Sequence, residues 1–132
     1  MGLASHEEVD KWGLLHASFC AFKRALQDLK VRPDHLLIDG RDRFFFDIPH
    51  TSIVRGDQKI RAISAASIVA KVTRDELMIK YSQNYPQYGF HLHKGYGTRL
   101  HQRTLKVFGP SDLHRKSYKP LKILKWVQEA FL

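Results

Sequence analysis

Cysteine and long apolar runs are nearly absent from this chain of 132 residues. Its one cysteine, Cys20, excludes an internal disulfide and suits a reducing compartment. No stretch approaches the roughly 20 consecutive apolar residues that a membrane span requires. The polar, acidic start, MGLASHEEVDKW, lacks the apolar core of a signal peptide. We therefore expect a cytoplasmic protein without a membrane partner.

Acidic residues are scarce in the second half of the chain. Residues 1–59 carry nine Lys or Arg and nine Asp or Glu, which cancel, whereas residues 60–132 carry 13 and four. The whole formal charge of +9 therefore comes from the second segment. A basic surface on one side of a protein indicates a polyanionic partner, of which nucleic acid is the commonest. A charge that only maintains solubility remains the alternative.

Hydrophobic periodicity predicts four helices and two short strands. A capping box formed by Ser5 and Glu8 opens the first helix, which we expect to end near Lys30. The elements expected after it are a strand at 35–39, a strand at 51–56, a helix at 62–85 with many small residues near its start, a helix of about ten residues capped by Thr98 and ended by Gly109, and a helix from Pro120. This order predicts an α/β protein. Two short strands make a poor sheet, so either the helices do most of the packing or further strands come from elsewhere.

Two acidic residues stand close to the predicted strand ends. Asp39 closes the first strand, and Asp57 follows the second in the sequence RGD. Carboxylates at the strand ends of an α/β sheet lie where sites usually form, and paired carboxylates suit Mg²⁺ or Mn²⁺. Ordinary turn chemistry is the alternative, since Asp-Gly and Gly-Asp are common turn pairs. For Asp75, inside the long helix, we expect a helical salt bridge or a packing role.

Three segments resemble a known family: LLIDG, VRGDQKIRAISAASIVAKVTRDE and YPQYGFHLHKGYGTRLHQRTLKVFGPSDLHRKSY. Together they closely resemble ribonuclease HII, the type 2 ribonuclease H, from about Glu7 to Pro120. The combination of ISAASIVAKVTRD with HKGYGT and HRKSY is highly specific. The resemblance implies a ribonuclease H-like three-layer α/β fold that is incomplete in this chain. It implies a single partial domain at 1–132, with an α/β part at 1–85 and a basic, helical C-terminal part at 86–132.

The resemblance also implies an activity. Family members are endonucleases that cleave the RNA strand of RNA–DNA hybrids and nick duplex DNA at embedded ribonucleotides, by two-metal phosphodiester hydrolysis with Mg²⁺ or Mn²⁺. Asp39 matches the acid of the family's IDG strand end and Asp57 the acid of its KGD turn, so both are expected catalytic residues and metal ligands. Tyr96 matches the tyrosine of the GYxT motif, which stacks near the sugar at the ribo–deoxyribo junction; a packed aromatic in a glycine turn is the alternative. The expected nucleic-acid contacts are Tyr96, Lys94, Lys106, Arg115 and Lys116.

One motif of the family is missing from the sequence. The family's first two acids lie in a DEAGRG motif on its first strand, and the rest of that motif helps to recognise the ribonucleotide 2′-hydroxyl. The adjacent acids Glu7 and Glu8 lie at a helix start with different flanking residues, so we assign them no catalytic role. The sequence resembles the C-terminal two-thirds of ribonuclease HII, and we expect it to be inactive unless an N-terminal segment complements it. A non-catalytic module that binds nucleic acid is the alternative.

Overall fold

The computed structural model describes residues 1–41 and 44–118. Its elements are the helices α1 (His6–Gln27), α2 (Gly56–Lys59), α3 (Arg61–Asn84), α4 (Phe90–His93) and α5 (Arg99–Phe108), the strands β1 (Leu36–Asp39) and β2 (His50–Ile53), and a 3₁₀ turn at Pro86–Tyr88. The predicted α/β class is confirmed. The described chain is mostly helical and carries a small parallel sheet, as a partial ribonuclease H-like fold would.

The predicted capping box opens α1. The Ser5 hydroxyl accepts the Glu8 backbone N–H at 3.2 Å, and the Glu8 carboxylate accepts the Ser5 backbone N–H at 2.8 Å. Hydrogen bonds from Arg24, at 2.5 and 2.8 Å, and then the bond from Ser5 lower the pKa of Glu8 to about 2. The helix ends at Gln27, earlier than predicted, and Gly13 interrupts it with a φ of 79°. Glycine adopts positive φ without a Cβ clash, so α1 bends there.

β1 and β2 pair in parallel, with Leu36 opposite His50. The predicted second strand, 51–56, is wrong at its end, because β2 stops at Ile53. Arg55 adopts a left-handed backbone with a φ of 55°, which a strand cannot continue through. The chain therefore turns out of the sheet and enters α2.

Aromatic side chains join α1 to the connection between the two strands. Phe19 stacks on Phe44 with the ring centroids 5.7 Å apart, and Phe22 meets Phe44 edge-on at 5.3 Å. Phe46 lies 5.2 Å from Phe19 and 5.5 Å from the ring of His50 on β2. Aromatic contacts of this kind stabilise a fold beyond the area they bury. They hold α1 against the sheet region.

α3 agrees with its prediction to within one residue at each end, and Pro86 follows it. The small residues near its start are exposed. They are Ala62, Ala65, Ala66, Ser67 and Ala70. Their size permits close packing on a sheet or another backbone, but residues 1–41 and 44–118 do not make that contact.

A second core lies around α4 and α5. Tyr88, Phe90 and Leu105 are buried together, and the rings of Tyr88 and Phe90 stack at 5.3 Å. The partly buried residues that pack against them are Met78, Tyr85 and Leu113. α5 has the predicted bounds: the Thr98 hydroxyl accepts the His101 N–H at 3.3 Å, and Gly109 caps the other end.

Two predictions about the C-terminal part are not decided by the fold. The helix expected from Pro120 lies outside the described residues, and the division at residues 85 and 86 stays a prediction. The second core draws Met78 and Tyr85 from α3, so it crosses that proposed boundary. Among the described residues, no helix has the length and apolar character needed to cross a bilayer.

Candidate metal and nucleic-acid site

The Asp39 carboxylate meets the turn that follows β2. Its Oδ1 accepts the backbone N–H of Gly56 at 2.7 Å. Gly56 is buried, and a Cβ on it would lie 2.6 Å from the Ile63 side chain and 3.4 Å from Asp39 Oδ1. Glycine is the residue that permits this approach. The backbone leading into Asp57 is therefore held against the Asp39 carboxylate.

Parallel pairing explains why Asp39 meets Gly56, which lies 17 positions later and just before Asp57. Asp39 is the last residue of β1, and Asp57 lies in the first turn of α2, just after β2. Both residues are exposed. The carboxyl ends of neighbouring parallel strands are the usual location of sites in α/β sheets. The metal-binding and catalytic roles of the two acids stay predictions.

Two carboxylates are suitable donors for a hard cation but do not complete a two-ion site. Mg²⁺ and Mn²⁺ prefer carboxylate and water oxygens. Across residues 1–41 and 44–118, no three His, Cys, Asp or Glu side chains are grouped closely enough to hold a metal ion. Asp39 also uses one oxygen to accept from Gly56. The donors present therefore fit only part of the family's metal site.

The turn before α5 presents the Tyr96 ring to solvent. Lys94 and Gly95 both adopt positive φ, 50° and 79°, and a Cβ on Gly95 would lie 3.3 Å from Met78 and 3.4 Å from Arg74. The backbone therefore runs close over α3. Tyr96 is 53% exposed, and the Arg74 guanidinium carbon lies 4.9 Å from its ring centroid. A ring that is stacked on one side by a cation and open elsewhere can receive a planar or sugar group.

Arg74 was not found from the sequence, whereas the interpretation of its neighbour Asp75 is confirmed. Lys71 donates to Asp75 Oδ2 at 2.5 Å across one helical turn of α3. This hydrogen bond, against some desolvation, raises the pKa of Lys71. Nothing in the sequence links Arg74 to Tyr96, because the contact joins α3 to a turn 22 positions later.

The predicted phosphate-contacting cations differ in their local contacts. Lys94 turns back and donates to the His91 carbonyl. Lys106 is exposed in the last turn of α5. The Arg115 guanidinium stacks on Tyr118 at 4.9 Å, and Lys116 is exposed. The assignment of these residues to phosphate contacts stays a prediction.

Asp10 of α1 ties down the basic segment that holds Arg115 and Lys116. Its carboxylate accepts the Lys116 N–H at 2.6 Å, the Ser117 N–H at 3.0 Å and the Ser117 hydroxyl at 2.5 Å. Partial burial opposes ionisation of Asp10, but the bonds from Ser117 and then Lys116 outweigh it and lower its pKa. This contact was also missed, because Asp10 reads as an ordinary polar position of a helix.

Three buried histidines that the sequence did not single out lie beneath the Tyr96 turn. His93, His101 and His114 are 6%, 7% and 8% exposed. Burial is the main cause that lowers the pKa of His101. Burial, followed by the nearby His101, lowers the pKa of His114 to about 4. One feature of the sequence could have indicated that His101 is buried, because it lies on the same face of α5 as buried Leu105, at the i, i+4 spacing.

Known proteins match the chain over nearly all of its length. The ribonuclease HII family model matches residues 2–121. The ribonuclease HII of Desulforamulus reducens is 50% identical over 121 residues, which are 92% of this chain and 61% of that protein. Those of Natranaerobius thermophilus and Nitrosococcus oceani are 49% and 48% identical, over 90% and 92% of this chain and 60% and 61% of their own lengths. The chain thus spans about three-fifths of the length of the curated relatives that it matches.

Proposed function

The chain belongs to the ribonuclease HII family, and we propose that it forms the larger, duplex-binding part of a cytoplasmic endonuclease of that family. Its substrates are RNA–DNA hybrids and duplex DNA with embedded ribonucleotides. Asp39 and Asp57 supply two of the four acids that bind Mg²⁺ or Mn²⁺ for hydrolysis of the phosphodiester. Because the sequence contains no DEAGRG motif, the chain alone is inactive and requires a segment that supplies the other two acids.

The contact between Asp39 and Gly56 carries this proposal. The 2.7 Å hydrogen bond brings the residue before Asp57 to the Asp39 carboxylate. Both carboxylates belong to the positions that match the family's third and fourth acids. Turn or helix-start chemistry would account for either acid alone, and we favour a shared metal site because both lie at the same edge of the sheet.

The Tyr96 turn supports a sugar contact on the same molecule. Its ring is exposed and backed by Arg74, whose charge favours a nearby phosphate. α3 connects the two parts of the site, since Ile63 packs at Gly56 and Arg74 packs at Tyr96. Those two positions lie about 16 Å apart along the helix axis. A duplex that follows α3 would therefore meet the acids and the tyrosine within a few nucleotides.

The exposed surface of α3 supports the need for a further segment. Ile68, Val69 and Val72 are exposed beside the small residues near the start of the helix. Contiguous apolar surface of this kind indicates a packing partner. A segment that added strands beside β1 or β2 would cover such a face and would bring its own acids to the strand ends.

Cleavage of a labelled DNA duplex with one embedded ribonucleotide tests the proposal. The chain alone, with Mg²⁺ or Mn²⁺, is expected to give no nicking above a no-protein control. Fusing it to the residues of the Desulforamulus reducens relative that precede its matched region is expected to restore nicking. An all-DNA duplex of the same sequence is the substrate control and should stay intact. Robust nicking by the chain alone would contradict the proposal, as would a fused protein that is folded but inactive.

A non-catalytic module that binds nucleic acid is the second candidate. The incomplete donor set in the described residues favours it. The two candidates differ in the fused protein, because a binding module would bind the duplex without nicking it. Both predict binding that weakens steeply with salt, since counterions are released when Lys and Arg meet phosphates. Affinity that did not change across a salt titration would remove both.

A further inference from the structure

The three buried histidines form two hydrogen-bonded assemblies directly beneath Tyr96. The rings of His93 and His101 stack with centroids 4.3 Å apart, and His101 Nε2 lies 3.1 Å from His114 Nε2. They come from α4, α5 and the loop after α5, so they fasten three elements together. No part of the proposed chemistry uses them.

The partners of His101 and His114 determine which nitrogen carries the proton in each ring. His114 Nδ1 accepts the Ser111 backbone N–H at 3.0 Å, so its proton is on Nε2. That Nε2–H donates to His101 Nε2, which must then be the unprotonated nitrogen. The His101 proton is therefore on Nδ1, which donates to the Tyr96 carbonyl at 3.0 Å. The chain of donors runs in one direction, from Ser111 to Tyr96.

The His93 ring likewise forms hydrogen bonds with the backbone of two nearby residues, Gly95 and Tyr88. Its Nδ1 accepts the Gly95 N–H at 3.1 Å, and its Nε2–H donates to the Tyr88 carbonyl at 2.8 Å. The Tyr96 N–H in turn donates to the His93 carbonyl at 2.8 Å. Both backbone polar groups of Tyr96 are thus held by residues of the histidine group.

All three rings are satisfied only as neutral imidazoles. A second proton on His101 would put two N–H donors 3.1 Å apart, facing each other. A second proton on His93 would face the Gly95 N–H. Every ring nitrogen already has a partner, which leaves no lone pair for a metal ion. The group therefore serves the backbone around it.

We propose that His93, His101 and His114 are positioning residues, which hold the Tyr96 backbone over α3 as long as all three are neutral. The inference rests on the proposed function in one respect, that Tyr96 contacts the sugar. A second proton on His93 would remove the acceptor of the Gly95 N–H, next to Tyr96. A second proton on His101 would break its contact with His114, while its Nδ1–H and the Thr98 N–H stay on the Tyr96 carbonyl. The preference for a ribonucleotide junction is then lost before general binding to the duplex.

The other titratable groups near the histidines favour the neutral form of these rings. His6 of α1 also contributes, as the smallest cause, to the lowered pKa of His114. The Tyr88 ring lies 5.2 Å from that of His114. Burial, followed by the Asp112 carboxylate, raises the pKa of Tyr88, so the phenol stays neutral while imidazoles titrate. The neighbours therefore reinforce the neutral state.

Two substitutions at one position separate positioning from simple packing. In His101→Asn, the side-chain amide N–H stands where Nδ1–H stood and can still donate to the Tyr96 carbonyl. His101→Leu keeps apolar bulk but has no donor. A packing role predicts that Leu is the better replacement, whereas a positioning role predicts Asn. His91→Asn is the matched control, because exposed His91 lies on α4 and its Nδ1 bonds to Ser82 at 2.7 Å.

The experiment measures binding and ring nitrogens on the full 132-residue chain. Binding is expressed as the ratio of Kd for an all-DNA duplex to Kd for the same duplex with one ribonucleotide. We expect His101→Leu to lower that ratio by about tenfold, the scale of a lost hydrogen bond, and His101→Asn and His91→Asn to keep it. Equal losses in the Leu and Asn variants, or a larger loss with Asn, would overturn the inference.

Ring ¹⁵N NMR provides a readout that does not depend on nucleic acid. We expect Nδ1–H on His101, Nε2–H on His93 and His114, and a Tyr96 amide signal that shifts together with these rings on acidification. A different set of protonated nitrogens, or a Tyr96 amide that ignores their titration, would overturn the inference. A wild-type chain that shows no preference for the ribonucleotide, with the NMR pattern intact, would instead contradict the role proposed for Tyr96.

Discussion

Among the described residues, both the α/β region before Pro86 and the region around α4 and α5 expose apolar side chains, such as Leu92 and Val107 in the second, but the second also holds a fully buried aromatic ring. In the second region Phe90 is 2% exposed, and it lies among Tyr88, Leu105 and the histidines. In the first, the aromatic contacts of Phe19 and Phe44 coexist with many exposed apolar side chains. These include Leu14, Leu15, Val31, Ile68, Val69 and Val72.

The two parts of the candidate site, the Tyr96 turn and the pair of acids Asp39 and Asp57, rest on these two different regions. The Tyr96 turn rests on a core that contains the fully buried ring of Phe90. The Asp39 and Asp57 carboxylates rest on a two-stranded sheet, and such a unit is marginal without further strands or helices to cover it. We therefore infer that duplex contacts by the second region persist in this chain, whereas the acid pair depends on additional chain for both its ligands and its support.

The largest expected effect is on the acid pair. In the protein fused to the relative's segment, Asp39→Asn is expected to lower the nicking rate at least about a thousandfold, since each tenfold is only about 1.4 kcal/mol of transition-state stabilisation. The amide oxygen can still accept from Gly56, so the turn is kept and the negative charge is lost. Asp34→Asn, an exposed acid before β1, is the control and should have little effect. A rate within tenfold of wild type for Asp39→Asn would remove this residue from the metal site.

Truncating one buried and one exposed phenylalanine tests how far each region buries its rings. Phe90→Ala is expected to lower the free energy of unfolding by about 3–5 kcal/mol, because a fully buried ring leaves a cavity. Phe45→Ala should change it by less than about 0.5 kcal/mol, since Phe45 is 89% exposed. Urea unfolding followed by circular dichroism measures both. A large loss from Phe45→Ala would mean that the α/β region buries this ring in solution, for example in a self-associated form.

Acid should weaken the second region before the first. The folded-state pKa of His101 and that of His114, about 4, lie below the ordinary value near 6.5. The unfolded chain therefore binds more protons between these values, and stability is full above about pH 6.5 and falls towards about pH 4. His114 alone accounts for a loss on the order of 3 kcal/mol.

Urea unfolding at a series of pH values measures this loss. The carboxylates with lowered pKa, those of Glu8, Asp10 and Asp28, lose their contribution only near and below their own ordinary values, about 4. The interval from about pH 6.5 to about pH 5 therefore isolates the imidazoles. His114→Gln is expected to flatten the pH dependence in that interval. The same slope in wild type and variant would show that His114 is not the group responsible.

Local sequence signals predicted the parts of the fold that neighbours in sequence determine. The Ser5 capping box, the Thr98 cap and the Lys71–Asp75 pair each join residues three or four positions apart, so periodicity finds them. The end of β2 was mispredicted because Arg55 adopts a left-handed backbone that its residue type does not favour. That conformation lets Gly56 reach Asp39, which is a tertiary contact.

The candidate site also contains some contacts that the sequence could predict and others that it could not. The proximity of Asp39 to the turn at Gly56 could be predicted, because parallel strands bring their carboxyl ends to one edge. The stacking of Arg74 on Tyr96 could not, since it depends on how the turn crosses α3. The histidine group was missed because its members lie in three elements and histidine is read as polar. Burial, which determines their tautomers and charge, is visible only in the folded chain.

The smallest expected effect tests whether the two regions unfold as one unit. Ser5→Ala removes the cap of α1 and Thr98→Ala that of α5, and each should cost about 1 kcal/mol. If the regions are as separate as their cores, Ser5→Ala speeds amide hydrogen exchange in α1 and leaves α5 protected, and Thr98→Ala does the reverse. The two substitutions control for each other, since both remove one hydroxyl from a helix N-cap. Exchange that rises equally in both helices for either variant would show one cooperative unit, and the exposed apolar side chains of the first region would then not mark a weaker core.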